Sequence, residues 1–345
     1  MLELPPEKEG GVPEPARVVM WMNVLLIDVD SKMPNLALMK LSAWHKERGD
    51  RVYFNNGCQD PDKVYISCVF SKNAPRARGT TKMFSCPVEI GGYGVNGAKL
   101  PDEIEHIMPD YDLYEFTRKE KVAIGYTQRG CNNLCPWCVV PQKEGRNHDH
   151  APITEFLPED FNKVILLDPN ILDSPKCREN LQFTIDNDLN VNFSQGIDAR
   201  LVNEENAAML ADINCQNWHF TTRRLHTAWD RLEDEKKVRR GIQRLKDAGI
   251  KDYTIMCYFI CAYGIRAEDY TLEYFLSHDM YRFEVLRELG VDPYAMVYND
   301  RKDIPVLRHF DRWVNGRVYK VCEWEDYDHS DSQTIIKNAG GMVIR

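Results

Sequence analysis

A regular alternation of short apolar runs with amphipathic helical stretches constrains the fold of this chain more than any other feature. Six runs in the second part of the chain have the length and composition of buried strands: 121–127, 163–168, 190–195, 218–221, 253–260 and 294–298. Apolar residues recur at helical spacing over 174–187, 203–213, 227–248 and 268–289. Strands that alternate with helices form mostly parallel sheets. The pattern therefore predicts an α/β fold with a partial (β/α)6 barrel of the TIM type, in which chemistry takes place at the carboxyl ends of the strands.

The same alternation begins earlier in the chain. An apolar run at 18–30 predicts a buried strand, and the helix that Pro34 opens ends near Gly49. RVYF, KVYISCVF and CPVEIGGYG are further strand candidates, and Pro101 begins a short helix. This region predicts a small α/β domain with a mostly parallel sheet in front of the barrel.

Composition limits the partners and the compartment that are expected. The 345 residues suffice for a large core, and the formal net charge is −9. Such a negative balance argues against a large polyanion as partner. No apolar run approaches the ~18 residues of a membrane span. The Pro-, Gly- and Glu-rich start lacks the apolar core of a signal peptide, so we expect a cytoplasmic protein without a membrane partner.

Three cysteines fall close together in RGCNNLCPWC, at Cys131, Cys135 and Cys138. Four interpretations are open: buried thiols, a zinc site completed by His148 or His150, a redox C-x-x-C pair, or an iron–sulfur cluster. A redox pair leaves Cys131 unexplained. A 4Fe–4S cluster commonly takes four thiolates, so three would leave one iron open for another ligand.

The CxxxCxxC spacing, with Trp137 before its last cysteine, follows a predicted strand and resembles the signature of the radical S-adenosylmethionine (radical SAM) superfamily. The resemblance implies a 4Fe–4S cluster on Cys131, Cys135 and Cys138, with S-adenosylmethionine chelating the open iron. One electron then cleaves S-adenosylmethionine to methionine and a 5′-deoxyadenosyl radical, which abstracts hydrogen from a substrate. A one-electron reductant such as flavodoxin or ferredoxin is the implied partner.

The chain resembles in particular those members that carry an N-terminal cobalamin-binding-type domain, since Thr127, Arg129 and Gly130 precede the first cysteine. The resemblance implies a small Rossmann-like domain before the barrel and adds cobalamin to the candidate cofactors, although the D-x-H-x-x-G motif is absent. The expected division has four parts: a flexible tail at 1–17, the Rossmann-like domain at 18–117, the barrel at 118–300 and an extension packed on the barrel at 301–345.

Polar residues at the predicted strand ends are the remaining site candidates. The resemblance implies that these positions, together with Trp137, contact the cofactor or the substrate. An amide or carboxylate can bind ribose hydroxyls, and an arginine can bind a carboxylate. Loop caps and surface ion pairs are the alternative for each. The candidates are Asn170, Gln195, Asp198, Arg200 and Arg223.

The GYGVNG stretch fits the G-x-G-x-x-G pattern of dinucleotide-binding loops. It follows a late strand, and no helix opens on its third glycine. We therefore interpret it as a glycine-rich turn.

The function expected from the sequence is that of a radical SAM enzyme that acts on an unknown small molecule, nucleotide or peptide. A cobalamin-dependent radical SAM methyltransferase is one alternative. A non-catalytic iron–sulfur or zinc protein is the other.

Overall fold

The structure, a computed structural model, describes residues 21–301 and 303–327. The chain divides into two compact units, of which the first ends at Lys99 and the second begins at Leu100. The predicted tail at 1–17 lies outside the described residues, as does the last part of the predicted extension. The predicted boundaries at 117 and 300 stay predictions. A mixed α/β fold with parallel sheets is confirmed.

The first unit is one parallel sheet in the order β2-β1-β3-β4. Asn35 begins the first helix, because its side chain accepts a hydrogen bond from the Leu38 amide at 3.2 Å. The second helix was not expected from the sequence, since APRARGTT carries almost no apolar periodicity. The elements are β1 (Asn23–Asp28), α1 (Leu36–Glu47), β2 (Arg51–Phe54), β3 (Lys63–Ser67), α2 (Ala74–Thr81) and β4 (Val88–Gly91).

The GYGVNG stretch is a turn directly after β4. Gly92 has φ +103, and a Cβ there would lie 2.3 Å from the Cys68 carbonyl oxygen. A Cβ at Gly94 would lie 2.7 Å from the Phe70 carbonyl carbon. The glycines therefore allow this turn to pack against the backbone that follows β3.

The second unit contains two parallel sheets, in the orders β10-β9-β8-β5 and β11-β12-β13, and a two-stranded antiparallel ribbon of β6 and β7. A parallel bridge between Ile197 and Thr227 connects the two sheets. The strands are β5 (Val122–Gly125), β6 (Gln128–Arg129), β7 (His148–Asp149), β8 (Lys163–Leu166), β9 (Asn190–Phe193), β10 (Asn214–Cys215), β11 (Leu225–Ala228), β12 (Ile255–Cys261) and β13 (Asp292–Val297).

Helices lie between these strands. The helices of the second unit are α3 (Asp102–Glu105), α4 (Glu115–Glu120), α5 (Val140–Glu144), α6 (Cys177–Asp186), α7 (Glu204–Asp212), α8 (Glu235–Asp247), α9 (Leu272–Tyr274), α10 (Tyr281–Glu288) and α11 (Pro305–Asn315). A π-helical turn at Phe275–Met280 joins α9 to α10, within the stretch predicted as one helix. No helix in the described ranges has the length and apolar character that crossing a membrane requires.

The strand predicted at 218–221 is wrong. The Asn217 side chain accepts a hydrogen bond from the Thr221 amide at 2.9 Å, and Phe220 has φ +55, so this stretch turns. The strand that continues the series is β11, which begins only at Leu225. The following helix starts at Glu235 rather than at 227, because the chain is still extended at its predicted beginning.

Candidate functional site

The cysteine loop, residues 130–146, leaves the carboxyl end of β5 and is closed at its base. Gln128 pairs with Asp149 and Arg129 with His148 in the ribbon of β6 and β7. Just inside the loop, the Cys131 amide donates a hydrogen bond to the Gly145 carbonyl at 3.2 Å. The two ends of the loop are therefore held together by backbone pairing.

Glu144 strengthens this closure from within the loop. Its carboxylate accepts hydrogen bonds from the Arg129 guanidinium at 2.7 Å and from the Gly130 amide at 3.1 Å. The Glu144 side chain is 3% exposed, and burial raises its pKa above the ordinary value. Separating a buried carboxylate from its arginine partner costs free energy. The Arg129–Glu144 pair therefore fixes the start of the cysteine loop to its end.

Gly130 is required where the two ends meet. Its φ is +71, and a Cβ would lie 2.1 Å from the Arg146 carbonyl oxygen. Only glycine fits this left-handed position against opposing backbone.

Asp168, at the carboxyl end of β8, holds the residues that lead into the loop. Its carboxylate accepts hydrogen bonds from the Thr127 amide at 2.6 Å, the Thr127 hydroxyl at 2.8 Å and the Gln128 amide at 2.8 Å. Asn180 of α6 donates to the same hydroxyl at 2.9 Å. Burial raises the pKa of Asp168 to about 6, since the hydrogen bonds only partly offset the loss of water.

The three cysteines are free thiols at the top of this braced loop. Cys131 is buried, and Cys135 and Cys138 are partly exposed. Burial raises the pKa of both Cys131 and Cys135, and the neighbouring thiols raise these pKa values further. The positive charge of Arg200 lowers the pKa of Cys135. The three sulfurs therefore lie within electrostatic reach of one another, with an arginine beside them.

The donor set suits an iron–sulfur cluster. No three His, Cys, Asp or Glu side chains of the described chain are placed to hold a single metal ion. The cysteines of a 4Fe–4S cluster bind different irons, so they need not meet at one point. Three thiols on one loop are the donors that such a cluster takes.

Buried acceptors without partners lie next to the loop. The side-chain oxygens Oδ1 of Asn147, Oδ1 of Asn170 and Oδ2 of Asp173 are buried and have no hydrogen-bond partner. Asn147 donates its own amide to the Asp173 carbonyl. The charge of Asp173 raises the pKa of Cys131, which places it near the first cysteine. Buried acceptors normally have donors, so this region has the chemistry to receive a ligand with N–H donors.

Asp198 and Arg200 lie together beside the loop. Arg200 pairs with Asp198 at 2.7 Å and with Asp234 at 2.9 Å. Asn133 of the cysteine loop donates a hydrogen bond to Asp198 at 3.0 Å. This network connects the loop to the segment that follows β9.

Trp137 lies over the carboxyl ends of the last two strands. Its ring contacts Tyr263 edge-on at 5.0 Å, and Tyr263 contacts Tyr298 at 4.9 Å. Ala262 and Asn299, the neighbours of these tyrosines, have φ +55 and +53. Left-handed backbone at non-glycine residues is strained, and such strain is common at functional sites.

The other two predicted residues are placed differently. Gln195 lies after β9 but is exposed, and its side-chain amide donates a hydrogen bond to the Ser194 hydroxyl at 3.5 Å. Arg223 precedes β11 and donates to the Ile213 carbonyl at 3.1 Å, so it lies at the amino end of that strand. The expectation that it ends a strand failed together with the predicted strand at 218–221.

Asp230 is a candidate site residue that the sequence did not reveal. It follows β11 and accepts a hydrogen bond from the Ile260 amide at 3.0 Å. Burial raises its pKa, and its charge raises the pKa of Cys135, so it lies near the loop. Correct placement of β11 would have identified it as a strand-end carboxylate.

Comparison with curated proteins finds a partial match. The tRNA-2-methylthio-N(6)-dimethylallyladenosine synthase of Pelotomaculum thermopropionicum is 33% identical in an alignment of 105 residues that covers 27% of this chain and 22% of that protein. The chain therefore spans well under half the length of this relative. No family model matches the chain. Anabolic ornithine carbamoyltransferase from Campylobacter jejuni aligns with 80% of this chain and 86% of its own at 13% identity, with a TM-score of 0.19, which carries no argument.

Proposed function

We propose that this chain is a radical SAM enzyme that holds a 4Fe–4S cluster on Cys131, Cys135 and Cys138. The observation that carries the proposal is the position of three free thiols on a braced loop, beside buried acceptors that lack donors. The partial match to a synthase that modifies tRNA adenosine supports the same superfamily. When bound, the cluster and S-adenosylmethionine supply one-electron cleavage to methionine and a 5′-deoxyadenosyl radical.

In this proposal, the side chains around the cysteine loop bind S-adenosylmethionine and shield it from water. The oxygens of Asn147, Asn170 and Asp173 would accept hydrogen bonds from the N–H groups of the amino nitrogen of S-adenosylmethionine when that nitrogen binds the open iron. The Asp198–Arg200 pair keeps a charged network beside the cysteines. The rings of Trp137 and Tyr263 cover the carboxyl edge and exclude water.

We further propose that six parallel strands, β5, β8, β9, β11, β12 and β13, form the partial barrel. Their pairing and the bridge between the two sheets support this arrangement.

The strand order β2-β1-β3-β4 supports a Rossmann-like first domain. His45 is the one histidine before Leu100, and its two ring nitrogens are hydrogen-bonded to Asp50 at 2.6 Å and to Tyr65 at 3.2 Å. A cobalamin bound to this unit would therefore take no histidine ligand from it. Flavodoxin or ferredoxin is the proposed reductant.

The test is anaerobic reconstitution of the full chain. We expect about four irons per chain and 5′-deoxyadenosine from S-adenosylmethionine once a reductant is added. Serine at Cys131, Cys135 or Cys138 should abolish cleavage and lower the iron content. Cys322→Ser is the matched control, because this cysteine lies outside the loop and its thiol donates to the neighbouring Glu323 carbonyl at 3.4 Å. Stoichiometric zinc, or a loaded protein without cleavage, would show the proposal to be wrong.

A further inference from the structure

A buried ion pair lies beside the carboxyl ends of β11 and β12. The Arg282 guanidinium of α10 donates to the Asp279 carboxylate at 2.6 Å, and the Tyr270 hydroxyl donates to the same carboxylate at 2.5 Å. The side chains of Arg282 and Asp279 are 5% and 0% exposed. Asp279 belongs to the π-helical turn before α10, and such turns are frequent at functional sites. A buried ion pair often stabilises a fold no more than apolar residues of the same volume would, so stability alone does not account for it.

The other donors of Arg282 join two strand ends. Its guanidinium donates to the Asp230 carbonyl at 2.8 Å and to the Ile260 carbonyl at 2.8 Å. It also donates to the His278 carbonyl of the π-helical turn at 3.2 Å. Asp230 is the second residue after β11, and Ile260 is the next to last residue of β12. Four hydrogen bonds therefore hold this arginine between α10 and the carboxyl ends of both strands.

These contacts close a ring around the Asp230 side chain. Its Oδ1 accepts a hydrogen bond from the Ile260 amide at 3.0 Å, and Arg282 bonds the carbonyls of the same two residues. The backbone and one carboxylate oxygen are thereby fixed, so the carboxylate has a set orientation. Within the described part of the chain, the other oxygen accepts no hydrogen bond, and it is not enclosed, because Asp230 is half-buried. This oxygen is therefore available to a ligand.

Asp230 lies among the site residues. Its charge raises the pKa of Cys135, and it interacts electrostatically with Asp198 and Arg200. Burial raises the pKa of Asp230, and the positive charge of Arg282 lowers it again, which favours the ionised form. An ionised carboxylate only accepts hydrogen bonds, so the ligand group that it takes is a donor.

We propose that Arg282 is a positioning residue, which orients the Asp230 carboxylate to accept a hydrogen bond from bound S-adenosylmethionine. Arginine suits this role because its planar group presents several donors in a fixed fork, whereas the lysine ammonium is a point charge on a flexible stem. Asp279 and Tyr270 hold the arginine from the opposite side. The inference rests on the proposed function, because it assigns a support for the cofactor site of the same enzyme.

Hydrogen exchange of the full chain without cluster tests the positioning alone. Arg282→Lys should speed exchange of the Ile260 amide roughly fivefold or more, because the ring that holds its acceptor is opened. Mass spectrometry of peptides that cover β12 measures this rate. Arg224→Lys is the matched control, since Arg224 pairs with Asp292 at 2.6 Å, largely buried, at the amino end of the same sheet. It should leave exchange at Ile260 as in the wild type.

Equilibrium dialysis of the reconstituted chain with S-adenosylmethionine, without reductant, tests the contact. Asp230→Asn keeps an acceptor for the Ile260 amide but turns an NH2 group toward the ligand, so affinity should fall roughly tenfold. Arg282→Lys should weaken binding roughly fivefold or more. The double variant should bind like Asp230→Asn alone, because Arg282 acts through Asp230. Arg224→Lys should bind like the wild type.

Unchanged exchange or unchanged affinity in Arg282→Lys would overturn the proposal, and so would additive losses in the double variant. Where Arg282→Lys does not fold, Asp230→Asn decides, since wild-type affinity in that variant leaves no contact to position. The 5′-deoxyadenosine assay with reductant separates the two levels of inference. Cleavage by a wild type whose Arg282 variant binds normally contradicts only the positioning role. A wild type that neither binds nor cleaves S-adenosylmethionine contradicts the proposed function itself.

Discussion

Asp168 and Asp198 both follow strands near the cysteine loop, yet their surroundings move their pKa values in opposite directions. Burial raises the pKa of Asp168 to about 6, because its partners are neutral amides and a hydroxyl. Burial also raises the pKa of Asp198, but the hydrogen bonds and charge of Arg200 outweigh it and bring the pKa below its ordinary value. Asp168 is therefore suited to fix the backbone amides that lead into the cysteine loop, and Asp198 is suited to remain negatively charged.

This contrast predicts how stability depends on pH. The folded chain keeps the Asp168 proton up to about pH 6, whereas the unfolded chain loses it near the ordinary value of 3.8. The carboxyl thus favours the folded state fully below about pH 4, and this contribution is lost as the pH rises through about 6. Between about pH 5 and about pH 7.5 the wild type should lose about 1.4 kcal/mol more unfolding free energy than Asp168→Asn. Urea titrations of both proteins measure this difference, and equal losses would contradict it.

At the scale of elements, the cysteine loop is held mainly by its base. The sequence motif gave the positions of the cysteines and of Arg129 and Gly130, but not their partners. Glu144 lies in a stretch, VVPQKEG, with no periodic pattern, so its bond to Arg129 could not be predicted. Contacts between residues far apart in sequence, such as Asn133 to Asp198, depend on the assembled sheets and leave no local signal.

Two glycines at this base allow a paired prediction. Gly130 and Gly145 both have positive φ, but a Cβ would clash with backbone only at Gly130. Gly145→Ala should cost roughly 1–3 kcal/mol of unfolding free energy from backbone strain. Gly130→Ala should cost more, because the Arg146 carbonyl must also move, and it should speed the loss of iron to a chelator. Urea denaturation and iron release compare the two variants; a greater effect at Gly145 would show that the clash is relieved without opening the loop.

For the whole molecule, five of the six strands predicted from the apolar runs of the second part of the chain lie near observed strands. The run at 218–221 misled, because Trp218 and Phe220 are apolar although Asn217 directs the chain into a turn. Trp218 instead stacks on Phe116 at 4.8 Å. The five correctly placed runs were enough to predict parallel sheets, because strands that alternate with helices pair in parallel. The displaced strand hid Asp230 and misplaced Arg223, so one local error affected two site residues.

The net charge of −9 leads to a prediction about the size of the substrate. Each phosphate that a protein contacts in a nucleic acid releases bound counterions, which makes affinity fall steeply with salt. A chain with this negative balance should make few such contacts. We expect binding of unmodified tRNA to be weak near physiological salt, with a slope of log affinity against log salt shallower than about −2. Fluorescence anisotropy of labelled tRNA over a series of KCl concentrations measures the slope. A slope near −5 or steeper would indicate a phosphate-binding surface and a polymeric substrate, whereas a shallow slope favours a substrate no larger than a nucleotide.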